Sequence, residues 1–304
     1  MKSWRKRLKS EVTGYLFVLP QLFLFLALMI YPIFSGFRMS LYKITLKSEK
    51  FVGLANYRNL LSDPNFMKSL WNTVLFVVCI VVLAVGLGLV VSVAIFDKAS
   101  GYVSFIRACY YIPIAVSMTV MTVVWNFLLN PSLGLINYLL GRASVGPINF
   151  LGDVNWVMPI IIFVTFVSNI GQVIVLYVAS MVSISSDVLE AAEVDGCGKV
   201  GRFVHIIFPL VKPTTLYVLI TEIIAVIKIY VVIQLMTNGG PNHASSTLMY
   251  YLYEKAFELN NRMGEAAAIG VIMFAICMLL SLVQVAIFAD RDKPRLSRRR
   301  GGAG

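Results

Sequence analysis

Six apolar stretches constrain the fold of this chain more than any other feature of its sequence. Each is long enough for a helix that crosses the hydrocarbon core of a bilayer, about 30 Å, and five of the six contain no charged residue. They cover residues 15–37, 71–96, 108–129, 156–182, 213–236 and 266–289. Charged residues make up only 13% of the chain, about half the share of a typical soluble domain. The sequence therefore predicts an all-α, multi-pass membrane protein with six transmembrane helices, and it excludes a disordered tail, a nucleic-acid module and a secreted disulfide scaffold.

The formal net charge of +11 is concentrated near the two ends of the chain. The basic residues there are Lys2, Arg5, Lys6, Arg7, Lys9, Arg291, Lys293, Arg295, Arg298, Arg299 and Arg300. Six spans bring both ends to one side, and an excess of Lys and Arg marks that side as cytoplasmic. We therefore expect a cytoplasmic N-terminus at 1–14, a membrane domain at 15–289 and a cytoplasmic tail at 290–304. The first predicted outer loop departs from this rule, because it contains Arg38, Lys43, Lys47, Lys50, Arg58 and Lys68.

The cysteines and histidines do not indicate a metal site. The cysteines are scattered along the chain without a C-x-x-C pattern, at Cys79, Cys109, Cys197 and Cys277. The two histidines fall on opposite sides of the membrane in this topology, whereas a zinc site needs clustered ligands. The first apolar stretch is longer than the apolar region of a cleaved signal peptide, and no A-x-A site follows it. We therefore expect it to be a retained helix.

The loop at residues 183–213, predicted to lie in the cytoplasm, has unusual chemistry for a connection between spans. We expect Asp187 to cap a short helix, with Glu190 completing an acidic version of the capping box. Gly196 is expected in a turn, where glycine takes a positive φ at no steric cost. A second short helix is expected at 199–207, up to the proline that opens the next span.

Two short helices at an angle would form a projecting elbow. Ala191 and Ala192 on its first helix are small and expected to be exposed, so another backbone can approach them closely. This geometry favours rigid docking to a partner rather than catalysis. The alternative is an ordinary amphipathic connector that lies on the membrane surface.

At these residues the sequence resembles the permease subunits of binding-protein-dependent ABC importers. Their signature is E-A-A, three residues, G, nine residues, I, one residue, L-P. The same spacing is found here in Glu190-Ala191-Ala192, Gly196, Ile206 and Phe208-Pro209, with Phe208 in place of Leu.

Two further segments resemble the sugar-type importers, which carry oligosaccharides, polyols or glycerol phosphate. They are FVGLANYRNLLSDPNF, after the first span, and MTNGGPN, after the fifth. Within that branch the chain is similar to the first of two non-identical permeases. Two positions depart from the family pattern: Ser186 replaces a proline before the E-A-A helix, and Tyr230-Val231 replaces Phe-Asp in the fifth span. No substrate contact of that aspartate is therefore carried over.

The resemblance implies the type I ABC importer permease fold and a set of partners. These are a second homologous permease, two ATPase subunits on the cytoplasmic side and an extracellular or periplasmic solute-binding protein, in a bacterial or archaeal cell (inner) membrane. It also implies that the elbow couples transport to the ATPases through Glu190, Ala191, Ala192, Asp195, Gly196, Phe203, Ile206 and Pro209. ATP and Mg would be bound by the ATPases, because this chain has no G-x-x-x-x-G-K-[ST] phosphate loop. No cofactor, catalytic residue or nucleic-acid partner is expected.

Polar residues inside the spans are candidates for the substrate path. Glu222 and Lys228 are the charged ones, and an ionisable group at membrane depth is a functional candidate. Sugars are bound by hydrogen bonds and by aromatic faces, so two polar stripes are further candidates. They are Asn169 and Gln172 in the fourth span, and Tyr230, Gln234 and Thr237 in the fifth. The alternative is that these groups form interhelical hydrogen bonds that hold the bundle together, or that a charge lies near an interface and snorkels.

Two other functional classes compete with a translocation subunit. An intramembrane enzyme would need a clustered acidic pair or a Ser/His or metal constellation, and the sequence shows none. A secondary transporter driven by an ion gradient would be expected to place acidic residues in two halves of a repeat, and no repeat is evident. The elbow motif favours the ATP-driven importer over both.

Overall fold

A computed structural model describes residues 15–45, 48–96, 101–258 and 262–289 of the chain. The predicted basic ends at 1–14 and 290–304 lie outside these residues. The elements, in chain order, are α1 (Tyr15–Ser40), β1 (Tyr42–Thr45), β2 (Ser48–Phe51), α2 (Ala55–Leu61), α3 (Pro64–Ile95), α4 (Gly101–Ala115), α5 (Met118–Leu128), α6 (Leu135–Arg142), α7 (Val154–Val182), α8 (Ser186–Val194), α9 (Lys199–Ile227), α10 (Val231–Met236), α11 (Leu248–Tyr253) and α12 (Met263–Ala289). Single π-helical turns occur at Leu26–Ile30, Phe203–Ile207 and Glu254–Glu258.

Five of the described helices are long and apolar enough to cross a membrane: α1, α3, α7, α9 and α12. They correspond to five of the six predicted spans, so the chain is a helical membrane protein. The second span begins earlier than predicted, at Pro64 rather than at residue 71. Proline is favoured in the first turn of a helix, where its missing N–H has no partner to lose.

The third apolar stretch, 108–129, is not one helix. It is divided between α4 and α5, which are separated by Val116 and Ser117. Ser117 has extended backbone angles, and its hydroxyl accepts a hydrogen bond from the Val120 N–H at 3.3 Å. This N-cap starts α5 as a new helix.

The fifth apolar stretch, predicted at 213–236, is also interrupted. Its main helix, α9, begins at Lys199 and ends at Ile227, and the short α10 follows after a break at residues 228–230. Inside the break Tyr230 has φ −131° and ψ −29°, which is outside the helical region. Asn126 Nδ2 on α5 donates to the Leu235 carbonyl at 2.9 Å, so the short α10 is anchored to a neighbouring helix.

A two-stranded antiparallel hairpin follows α1, so the all-α prediction missed one feature. β1 and β2 pair in the register Tyr42↔Phe51, Lys43↔Lys50, Ile44↔Glu49 and Thr45↔Ser48. Successive side chains of a strand point to opposite faces. Tyr42, Ile44 and Phe51 therefore share one face with Glu49, and the rings of Tyr42 and Phe51 meet edge to face at 5.3 Å.

The described chain packs into two units. One consists of the residues up to Asp63 together with Leu252–Ile272, and the other of Pro64–Tyr251 together with the chain from Met273. In the larger unit α3, α7 and α9 meet around Ala84, Val173, Tyr177, Met181, Ile207, Val211 and Val218, all buried. A side chain at Gly88 would come within 2.7 Å of Val173 Cγ1, so glycine there allows α3 and α7 to approach closely.

Candidate functional site

The first helix of the elbow, α8, begins two residues earlier than the capping prediction requires. Ser185 is its N-cap, with φ −57° and ψ 135°, and Ser186 is its first residue. Asp187 is therefore not the cap but lies in the first turn, where the helix dipole favours a negative charge. Glu190 lies in the second turn, so the predicted capping box does not form. Both Ser185 and Asp187 are common cap residues, and their sequence spacing does not distinguish them.

The turn at Gly196 is confirmed and closes α8 tightly. Gly196 has φ +75°. The Cys197 N–H donates to the Ala192 carbonyl at 2.9 Å, and the Gly196 N–H donates to the Glu193 carbonyl at 3.0 Å. This pair of bonds is a Schellman motif, in which a glycine with positive φ satisfies the last free carbonyls of a helix. The angle between the two arms of the elbow is thus set by hydrogen-bonded backbone.

We predicted that the second arm of the elbow ends at Pro209, and this prediction is wrong. Instead α9 continues from Lys199 through the proline to Ile227. A π turn precedes the proline, in which the Phe208 N–H donates to the Phe203 carbonyl five residues back. The wider turn accommodates the interruption that a proline makes in the hydrogen-bond ladder. The outer arm and the fifth span are consequently one continuous helix.

The eight predicted coupling residues lie on two sides of the elbow. Ala192 is buried, in contrast to the prediction, while Phe203 and Ile206 are half-buried and the remaining five, Glu190, Ala191, Asp195, Gly196 and Pro209, are exposed. A shallow concavity of about 640 Å³ is lined by Asp187, Val188, Ala191, Ala192, Asp195, Cys197 and Ile206. Two valines outside these eight residues are strongly exposed, Val194 at 87% and Val200 at 78%. An elbow with exposed valines beside carboxylates has the chemistry of a protein-docking surface.

The candidate path residues do not form one continuous stripe. In the fourth span Asn169 is half-buried and donates to its own helix at Thr165 O, 2.8 Å away, while Gln172 is exposed. In the fifth, Tyr230 precedes α10 and Thr237 follows it, so Gln234 alone of the three lies within a helix. Thr237 Oγ1 contacts Ser245 Oγ at 2.8 Å, which favours the alternative of a structural role.

The two charged path candidates have different surroundings. Glu222 is 6% exposed on the inner face of α9, and its Oε2 has no hydrogen-bond partner among the described residues. Lys228 is exposed at the end of the same helix, where α9 breaks. A buried carboxylate without a partner is costly, so Glu222 stays a functional candidate on structural grounds.

Sequence reasoning missed a polar anchor for the loop after α10. Asn238, Asn242 and His243 in this loop all have positive φ. Asn72 Nδ2, on α3, donates to the carbonyls of His243 and Ser246 at 3.0 and 2.9 Å. The signal in the sequence was the polar run at the start of the second span, which is unusual beside an apolar stretch.

Comparison with known proteins identifies the family of this chain. Residues 80–297 match the family described as "Binding-protein-dependent transport system inner membrane component". The chain belongs to this family.

The relatives of this permease are similar to it over almost their whole length. The probable ABC transporter permease protein YurN of Bacillus subtilis (strain 168) is 33% identical over 92% of this chain and 97% of its own. The sn-glycerol-3-phosphate transport system permease protein UgpA of Agrobacterium fabrum is 32% identical over 90% of this chain and 94% of its own. A bacterial alginate ABC transporter, solved in complex with an alginate pentasaccharide-bound periplasmic protein, contains a chain that matches with TM-score 0.84, 20% identity and 95% coverage of this chain and 98% of that one. This likeness shows a shared fold.

Family membership decides between the classes left open by the sequence. The chain is a permease subunit of an ABC importer and a non-catalytic part of the transporter, so the resemblance inferred from the E-A-A motif is confirmed. The secondary transporter and the intramembrane enzyme are excluded. The family is an inner membrane component, in agreement with a multi-pass membrane protein.

Proposed function

We propose that this permease is one of two non-identical membrane subunits of an importer for a carbohydrate or a glycerol phosphate. The support comes from relatives named for such solutes: sn-glycerol 3-phosphate for UgpA, arabinooligosaccharides for AraP of Bacillus subtilis and lactose for LacF of Rhizobium radiobacter. The test is uptake of labelled glycerol 3-phosphate, lactose and arabinooligosaccharides by cells with and without the gene. If cells with and without the gene took up every tested sugar and phosphate ester equally, this substrate class would be refuted.

In the proposed topology the chain crosses a bacterial or archaeal cell membrane six times, with both termini in the cytoplasm. The third crossing is made jointly by α4 and α5, because neither is long enough alone. A helix of 26 residues, the sum of the 15 in α4 and the 11 in α5, would span about 39 Å at 1.5 Å per residue. The basic ends support the cytoplasmic side for the termini, and hence for the elbow between α7 and α9.

The elbow is proposed to transmit ATP-driven closure of two ATPase subunits to the membrane helices. The observation that carries this proposal is the continuity of the elbow with the fifth span: α8 is fixed by the Schellman turn at Gly196, and α9 runs unbroken to Ile227. A rigid connection moves as one body when ATP binding favours one arrangement of the complex. The ATPases bind ATP and Mg, a second permease completes the path, and a solute-binding protein delivers the substrate outside.

Charge reversal at Glu190 tests this coupling. Glu190 is exposed on α8, and a partly desolvated charge pair with an ATPase can contribute several kcal/mol to an interface. We expect Glu190→Gln to retain part of the substrate-stimulated ATP hydrolysis of the reconstituted complex, and Glu190→Lys to lose it. The helix dipole contributes little to this difference, because its effect is confined to the first turn.

The matched control is Glu258→Lys, which makes the same charge change at an exposed carboxylate in a predicted outer loop. It should leave both ATP hydrolysis and co-purification of the ATPase unchanged. Equal activity of Glu190→Lys and the unmodified permease would mean that Glu190 faces solvent in the complex.

A further inference from the structure

The hairpin β1–β2 carries positive charge and lies, in the proposed topology, on the outer side of the membrane, where the topology rule does not favour it. Between residues 38 and 51 the chain has Arg38, Lys43, Lys47 and Lys50 against a single acidic residue, Glu49. Arg38 and Glu49 form an ion pair at 2.8 Å. The charge that remains uncompensated in the described part of the hairpin is therefore that of the two lysines, Lys43 and Lys50.

These two lysines lie directly opposite each other. Lys43 pairs with Lys50 in the antiparallel register, and their neighbours on the same face are Thr45 and Ser48. Both lysines are exposed, and neither forms an ion pair with another described residue. Like charges directly opposite in a sheet repel each other. The pair thus weakens the hairpin in the isolated chain, and a bound anionic group would remove the repulsion.

The base of the hairpin is held in a fixed position. Asn56 is buried, and its Nδ2 donates to the carbonyls of Ser40 and Tyr42 at 2.7 and 3.0 Å. The Tyr57 hydroxyl donates to Ser40 Oγ at 2.7 Å. At Gly264 any side chain would collide with the Tyr42 carbonyl oxygen. The lysine face therefore projects from a base that buried hydrogen bonds and close backbone packing hold in place.

A cleft of about 380 Å³ adjoins this face and is likewise lined by polar and basic residues. Its polar lining comes from Lys43, Thr45, Asn56, Asn59, Arg262 and Glu265. The carboxylate of Glu265 is already engaged, by Lys255 Nζ at 3.1 Å and by Arg262 Nη1 at 3.7 Å. The Arg262 side chain is nevertheless 56% exposed, so its guanidinium keeps donors for a second carboxylate.

We propose that the face formed by Lys43 and Lys50, together with the cleft beside Arg262, is a docking surface for acidic side chains of the solute-binding protein. This inference rests on the proposed importer function and names the contact that the delivering partner makes. A fixed base favours a folded protein over a lipid surface, because mobile headgroups need no preset geometry whereas complementary protein surfaces do. Docking through this surface places acidic residues of the binding protein against both lysines and neutralises their repulsion.

The variant Lys50→Glu separates docking from folding. It replaces the repulsion between the two lysines by an attraction between Lys43 and the new carboxylate, so the hairpin is stabilised while the docking face loses its charge. The measurement is ATP hydrolysis by the whole transporter in nanodiscs of neutral lipid, titrated with the purified solute-binding protein of the same system. We expect the half-saturating concentration of binding protein to rise about fivefold or more at low salt, with the maximal rate unchanged. The difference should shrink with added salt, because the screening length falls from about 10 Å at 0.1 M to about 3 Å at 1 M.

The matched control is Arg142→Glu, which reverses an exposed basic residue at the end of α6, in another predicted outer loop. It should leave the titration unchanged. Identical titrations for Lys50→Glu and the unmodified permease would overturn the inference alone, since stimulation by the binding protein would still be present. A lysine effect that appears only in nanodiscs with anionic lipid would assign the surface to headgroups instead. Absence of any stimulation in the unmodified transporter would refute the proposed function and this inference together.

Discussion

Replacing Gly196 tests whether the elbow depends on a left-handed backbone at one residue. Its φ is +75°, and among the described residues no atom outside its immediate neighbours lies within 4 Å of the position where a Cβ would stand. A side chain there meets no steric obstacle from packing, so its cost comes from the backbone, about 1–2 kcal/mol for an L-residue in this conformation. A free energy of this size corresponds to a change of about 5- to 30-fold in a population. We therefore expect Gly196→Val to reduce the population of the native elbow by at least about 5-fold.

Gly198 offers a control in the same elbow. A Cβ at this position would also meet open space, but the φ of Gly198 is −65° and its ψ is 166°, which any residue adopts. Gly198→Ala should therefore leave the elbow intact, and by restricting the unfolded chain it can even stabilise it slightly. Gly196→Asn should be intermediate, because asparagine tolerates the left-handed region better than most residues.

The assay is co-purification of the ATPase with the permease, followed by substrate-stimulated ATP hydrolysis in the reconstituted complex. The expected order of activity is unmodified permease and Gly198→Ala together, then Gly196→Asn, then Gly196→Val. Membrane insertion, measured by the yield of purified permease, should be equal in all four. Full activity of Gly196→Val would refute the reasoning, because the coupling would then tolerate a different angle between α8 and α9.

The remaining predictions concern topology, docking and stability. Reporter fusions at Gly53 and Gly240 should report an external position and a fusion at Gly198 an internal one; an external signal from the last would place the elbow away from the ATPases. Val194→Ser should weaken ATPase co-purification without lowering the yield, because the side chain is 87% exposed and its loss leaves no cavity in the core; unchanged co-purification would exclude Val194 from the interface. Lys255→Met should destabilise the permease by about 1–3 kcal/mol, because two partly buried carboxylates, at 3.2 and 3.1 Å from the lysine, lose a shared cation while Glu265 keeps Arg262. Thermal unfolding in detergent would measure this loss, and an unchanged midpoint would contradict it.

Local chemistry predicted the turn of the elbow, and the spans in outline. The turn at Gly196 was predicted because an Asp-Gly pair after a helix is typical of a turn. Its positive φ depends on the glycine alone. Long apolar runs predicted the five long spans because length and composition suffice for that purpose. They did not predict the break at Ser117, since an apolar run has no period that distinguishes one helix from two.

Features that depend on distant partners were not accessible from the sequence. Lys255 meets Asp63 across 192 positions of the chain, and no local pattern links them. The hairpin was missed because each strand has only four residues, too few for an alternating pattern to stand out. The burial of Ala192 was missed for a related reason: small residues are suited to either side of a helix, and packing decides which.

The unbroken α9 has a mechanical consequence. Its 29 residues make a rod about 44 Å long at 1.5 Å per residue. A tilt of about 5° at the elbow would displace the far end of such a rod by about 4 Å, more than the diameter of a water molecule. Glu222 and Lys228 lie near that end, where the rod stops and the chain bends into α10. A small rotation at the elbow would thus move these two charges by about the diameter of a water molecule.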